Sequence, residues 1–155
     1  MSIGLRASRR QRDQRGASAV EFALVVPFLL LIVFGIIVYG MVFAQSLSLS
    51  NAARQAARSG VIQGTTCDQI ISLAHDAAGT MGMQGSAASV AIKRGTSDAG
   101  AAATCSGGGG AQPCQGQDPA TNIYVTLTYT TDPIVPFVPT PSQISGKGVY
   151  RCEFK

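Results

Sequence analysis

The stretch RGASAVEFALVVPFLLLIVFGIIVYG, Arg15 to Gly40, decides how the rest of this chain is read. After Arg15 it holds one charged side chain, the carboxylate of Glu21, set at the edge of a long apolar run. From Phe22 to Ala44 no residue is charged, and the next charge is Arg54. As a helix rising about 1.5 Å per residue, that run is about 35 Å long, enough to cross a hydrocarbon layer of about 30 Å. The competing reading is a buried helix of a soluble domain. The rest of a chain of 155 residues, rich in glycine, is too small to cover such a helix on all sides. The pattern therefore predicts a transmembrane span over about residues 22–44.

The formal net charge of +4 does not point to nucleic acid. Residues 1–16 hold Arg6, Arg9, Arg10, Arg12 and Arg15 against Asp13, so this polar leader, expected to be disordered, carries the whole of it. From Ala17 onward basic and acidic residues balance, and no basic stripe with interleaved aromatics remains. Arg-rich flanks of membrane spans stay in the cytoplasm, which predicts the N-terminus inside and the C-terminal part outside.

The helix is expected to start near Ala17 and to run to Gly60, a natural stop signal. Its final part, QSLSLSNAARQAARSG, is made of good helix formers, with Arg54 and Arg58 at i,i+4. Pro27 predicts a bend, which membrane helices tolerate. Gly40, Ala44, Ser48, Ala52, Ala56 and Gly60 place a small residue at every fourth position. Such spacing lets helix backbones approach closely in lipid. A four-residue step drifts about 40° around the helix, so two or three members at a time could face one partner. An Ala-rich surface helix would carry the same residues without any such role.

Residues 61–155 read as a small α+β domain. TTCDQIISLAHDAAG predicts a short helix, with Thr66 and Gln69 as a capping box, Asp68 in the first turn and Gly79 at the end. Ile70, Ile71, Ala74 and Ala78 give it one apolar face, beside which His75 has a packing or surface role. SAASVAIKR is a strand candidate, and residues 95–119 form a Gly-rich flexible loop. Its four glycines, Gly107 to Gly110, lack the Lys-Ser/Thr and the helix that a phosphate loop requires. NIYVTLTYTT is the clearest strand, with Ile123, Val125, Leu127 and Tyr129 on one face. DPIVPFVPTP, with prolines at 133, 136, 139 and 141, reads as a crossing or edge segment, and KGVYRCEF as a last strand. The expected fold is thus a long N-terminal transmembrane helix followed by one short helix and about three antiparallel strands.

All four cysteines, Cys67, Cys105, Cys114 and Cys152, follow the span, on the side expected to be oxidising. They allow three pairings of two disulfides. Cys105–Cys114, closing the Gly-rich loop, and Cys67–Cys152, tying the domain's start to its end, are the favoured pair. Zinc is disfavoured by the spacing, and no cofactor is indicated. Nothing reads as an active site: the histidine is single, no nucleophile elbow occurs, and Asp68, Asp76, Asp98, Asp118, Asp132 and Glu153 are scattered as caps, turns and surface groups.

A glycine after a basic leader, four small residues, a glutamate and an aromatic before a long apolar helix resemble the processing site of type IV pilin-like proteins. More narrowly, RGASAVEFALVVPFLLLIVFGI with LSLSNAARQAARSG resembles the TadE-like family, pseudopilins of tight-adherence (Flp) pilus systems. That resemblance covers about Arg15 to Gly60. It implies that a membrane-embedded prepilin peptidase cuts after Gly16, that Ala17 becomes the N-terminus, and that Glu21 is the fifth mature residue, followed by Phe22. It further implies an inner-membrane protein whose partners are lipid, other pilins or pseudopilins and the pilus assembly machinery, with no enzymatic activity of its own. Cleavage would leave an ammonium at Ala17, one helical turn from Glu21. A neighbour's ammonium could then pair with Glu21 and offset the cost of a charge at the bilayer edge. Two other readings stay open: a plain single-pass anchor displaying a binding module, and a secreted protein cut after Ala44 within Val42-Phe43-Ala44.

Overall fold

The computed structural model describes residues 7–79, 83–105, 109–131 and 139–153, with the side chains of the first helix from Gly16 onward. That helix, α1, spans Ala7–Gly60, 54 residues, with Pro27 inside it. It begins ahead of the expected start near Ala17. Ala7 to Arg15 are mostly Ala, Arg and Gln, good helix formers with no breaker before Gly16, so the leader extends the helix. The expected disorder of residues 1–16 is therefore corrected over 7–16, and residues 1–6 lie outside the described residues. The chain divides into two compact units, Met1–Val38 and Tyr39–Lys155.

In the first unit most apolar side chains of α1 are exposed, Phe22 70%, Phe28 72% and Leu31 69%, while Val38 is buried. Among the described residues, the chain itself does not cover this segment as it would a core helix.

The second unit has the α+β form expected. Helix α2, Cys67–Ala78, starts where its local chemistry dictates. The Gln69 amide donates to Thr66 Oγ1 at 3.4 Å, and the Thr66 amide donates to Gln69 Oε1 at 3.0 Å. Cys67, Ile70, Ala74 and Ala78 are its buried face, with Ile71 half-buried. Four strands form one antiparallel sheet: β1 Ser89–Gly95, β2 Ala102–Ala103, β3 Asn122–Thr130 and β4 Gln143–Arg151, in the order β2-β1-β3-β4. Three are the strands read from the sequence; β2, only two residues long, lies inside the stretch expected to be loop. On β3, Ile123, Val125 and Leu127 are fully buried and Tyr129 packs partly against them. They meet Leu49, Ala52, Ala53, Ala56 and Ala57 of α1 in a single core with α2.

Strand β4 begins at Gln143, earlier than expected, and includes Gly146 and Gly148. Glycine weakens a strand unless another backbone comes close, and here one does. A Cβ at Gly146 would lie 2.3 Å from the Leu49 carbonyl carbon, and one at Gly148 would lie 2.2 Å from the Ala53 carbonyl oxygen. The helix backbone thus rests directly on β4. On the opposite face of the sheet, Lys147 pairs with Asp98 and lies 5.2 Å from the centre of the Tyr124 ring.

The disulfides correct the favoured pairing. Cys67 joins Cys105 and Cys114 joins Cys152, with Cα separations of 5.7 and 5.5 Å. Cys105 follows β2, whose pairing with β1 carries it to the first turn of α2. Cys114 is held near the end of β4, where Arg94 Nη1 donates to the Pro113 carbonyl at 2.7 Å and the Cys152 amide donates to the Thr121 carbonyl at 2.9 Å. Each bridge therefore ties one end of the long β2–β3 connection to a fixed element, whereas Cys105–Cys114 would have tied that connection only to itself. Of the proline-rich segment, Asp132 to Val138 lie outside the described residues, and Pro139 to Pro141 are not in a strand.

Candidate functional site

The residues singled out for function lie along α1. Gly16, Ala17, Glu21 and Phe22 are exposed. Ala17 and Glu21 are four positions apart and so share one face of the helix. Among the described residues no ion pair or hydrogen bond reaches the Glu21 carboxylate. A Cβ at Gly16 would meet nothing within 4 Å, and the same holds at Gly35 and Gly40. Glycine at these three positions is not imposed by packing inside the chain.

The small residues of α1 fall into two groups. Ala52, Ala56 and Gly60 are buried within the chain's own outer domain, where a Cβ at Gly60 would meet Ile123 Cδ1 at 2.6 Å. These three are spent on the intramolecular core and are not available to a neighbouring helix. Ala44 and Ser48 are half-buried, and Gly40 is exposed. Sequence spacing alone could not separate the groups, because it cannot say which face the domain covers. The glycines of β4 were the missed signal: two in a strand mark a close backbone approach.

The pocket lined by Gly60, Ile62, Thr65, Gln112 and Cys114 has a cavity volume of about 20 Å³, room for a water molecule, and the open depression over Asp68, Gln69, Ser72, Leu73 and Asp76 has about 460 Å³. His75 is turned to structural use, its Nε2 lying 3.1 Å from the Ala88 carbonyl oxygen. The described part of the Gly-rich loop docks on the start of α2 rather than hanging free. The Gly109 amide donates to Asp68 Oδ1 at 2.6 Å, and the Cys67 amide donates to the Ala111 carbonyl at 2.8 Å. Gly107 and Gly108 lie outside the described residues. The amide donors at this helix start are thus occupied by the chain itself.

From Gly16 to Gly60 the helix is long and apolar enough to cross a membrane, and its apolar window is almost wholly exposed. What the arrangement offers chemically is a helix able to cross a membrane, with a carboxylate near its start that is unpaired among the described residues, and a disulfide-bonded domain after it. A family model described as TadE-like protein matches residues 16–58. No curated protein and no solved structure matches the chain.

Proposed function

We propose that this TadE-like chain is a pseudopilin or minor pilin, made as a membrane precursor and cut after Gly16 by a prepilin peptidase on the cytoplasmic face of the inner membrane. The observation that carries this reading is Glu21, an exposed carboxylate at the head of an exposed apolar helix, with no partner among the described residues. Removal of residues 1–16 takes away the Arg-rich leader and leaves an ammonium at Ala17. In a bundle of parallel helices, the Glu21 carboxylate of one subunit meets the Ala17 ammonium of the next. A subunit displaced along the helix axis leaves both charges unpaired, so the pair fixes axial register. Gly40, open on its own helix, allows close lateral approach of a neighbour. The outer domain, held by two disulfides, lies on the extracytoplasmic side, in keeping with the positive leader.

The secreted reading, with a cut after Ala44, is weakened by two contacts. Val42 packs against the core of the outer domain, and Tyr39 Oη donates to the Pro139 carbonyl at 2.9 Å. A domain released at Gln45 loses both. Intact-mass measurement on protein extracted from membranes, with and without the prepilin peptidase, tests the reading. A chain starting at Ala17 only when the peptidase is present is expected; a chain that keeps its leader in both cases overturns it.

A further inference from the structure

Pro139 to Ser142, which lead into β4, lie close to α1. Strand β4 follows α1 step for step: Gly148 lies against Ala53, and Gly146 against Leu49. Two strand residues advance about 6.7 Å and four helix residues about 6 Å, so strand and helix keep pace. Continued toward the start of β4, this relation brings the chain back to the apolar run of α1. The hydrogen bond from Tyr39 Oη to the Pro139 carbonyl, 2.9 Å, fixes the end of that path. Tyr39 lies five residues inside the apolar run that closes at Ala44, which is about 8 Å along the helix. The end of the sheet where Thr130 pairs with Gln143 is therefore the end nearest the apolar run.

From this geometry we propose that the end of the outer domain formed by Tyr39, Pro139 and Pro141 rests in the lipid interface, as a second membrane contact beside the span. Its composition suits that place. No charged residue occurs from Pro139 to Gly146. Pro139 and Pro141 are exposed and carry no backbone N–H that would need a partner away from water. Their carbonyls are occupied, Pro139 by Tyr39 Oη and Pro141 by Thr131 Oγ1, and the Thr131 amide donates to the Ser142 carbonyl at 3.0 Å. These paired carbonyls lower the cost of moving the two prolines out of water. Tyrosine is itself favoured at the membrane–water boundary, where its ring is covered and its hydroxyl still finds an acceptor. The inference rests on α1 crossing a membrane and is independent of leader removal and of the pilus.

The chain has no tryptophan, so a single introduced one reports its own surroundings. Pro139→Trp and Pro141→Trp keep the carbonyls that accept hydrogen bonds. Ala99→Trp, in the exposed turn after β1 at the other end of the sheet, is the distal control, and Phe28→Trp reports the span. Each full-length variant is placed singly in nanodiscs made with lipids brominated at defined depths. Blue-shifted emission from Pro139→Trp or Pro141→Trp is expected, quenched most by bromines near the head group, with Ala99→Trp unquenched. Water-like emission without quenching at both positions, while Phe28→Trp is quenched, overturns the inference and leaves the span intact. A blue shift without quenching marks burial against protein rather than lipid and overturns it equally. An unquenched Phe28→Trp removes the span and the inference together.

Discussion

Replacing Gly148 by alanine tests the contact that joins helix and sheet. The added Cβ would lie 2.2 Å from the Ala53 carbonyl oxygen, 2.5 Å from the Ala53 carbonyl carbon and 2.7 Å from the Arg54 nitrogen. All three atoms are backbone, so no side chain can swing aside. Non-bonded atoms rest at about 3.5–4.0 Å, so α1 and β4 must part by about 1.3 Å or more. Overpacking costs about 1–3 kcal/mol, and a clash confined to two backbones belongs at the upper end. At roughly 4–6 °C per kcal/mol for a domain of this size, a loss of about 3 kcal/mol lowers Tm by about 12–18 °C. The assay is thermal unfolding of the full-length, disulfide-intact protein in nanodiscs, followed by near-ultraviolet circular dichroism. Gly40→Ala is the control, because its Cβ meets nothing within 4 Å, and it is expected to leave Tm unchanged. A Gly148→Ala protein that melts with the wild type refutes the close approach and the placement of β4 derived from it.

Three further outcomes follow from the same structure. Thr66→Ala removes the side-chain half of the capping box on α2 and is expected to cost about 1 kcal/mol, measured as a shift in denaturant midpoint with an unchanged slope. Digestion without reduction, followed by mass spectrometry, is expected to yield Cys67–Cys105 and Cys114–Cys152 peptides, and a Cys105–Cys114 peptide contradicts the fold of the β2–β3 connection. Replacing Cys114 and Cys152 together by serine opens a link across 38 residues, for which the chain-entropy model gives a loss of about 4 kcal/mol, read as a lower unfolding midpoint.

Much of this molecule is legible in its sequence where the determining interactions are local. The capping box of Thr66 and Gln69 places α2 to within a residue, because both hydrogen bonds run between neighbours three apart. Alternation along Asn122–Thr130 identifies β3 because one of its faces is buried. The apolar run announces, by length and composition, a helix able to cross a membrane. What stays hidden depends on contacts distant in the chain. Cysteine spacing does not encode pairing, which here follows from β2 carrying Cys105 to α2. The stripe of small residues gives no sign that Ala52, Ala56 and Gly60 face the chain's own sheet. The early start of β4 is masked by glycines that look like breakers until α1 is laid against them. The start of α1 at Ala7 shows the limit of reading a functional boundary as a structural one: the expected cut site at Gly16 lies within a helix rather than at its end.

The proposal as a whole depends on the carboxylate at position 21. Fibre formation by cells producing Glu21→Gln, with membrane insertion and removal of residues 1–16 verified on the same protein, measures its role most directly. The substitution keeps the side chain's size and removes its charge, which leaves a neighbouring subunit's ammonium buried without a counter-ion. Inserted and processed protein that fails to support fibres is the predicted result. Fibre yield equal to that of the wild type contradicts the pairing, and with it the assembly role assigned to this helix.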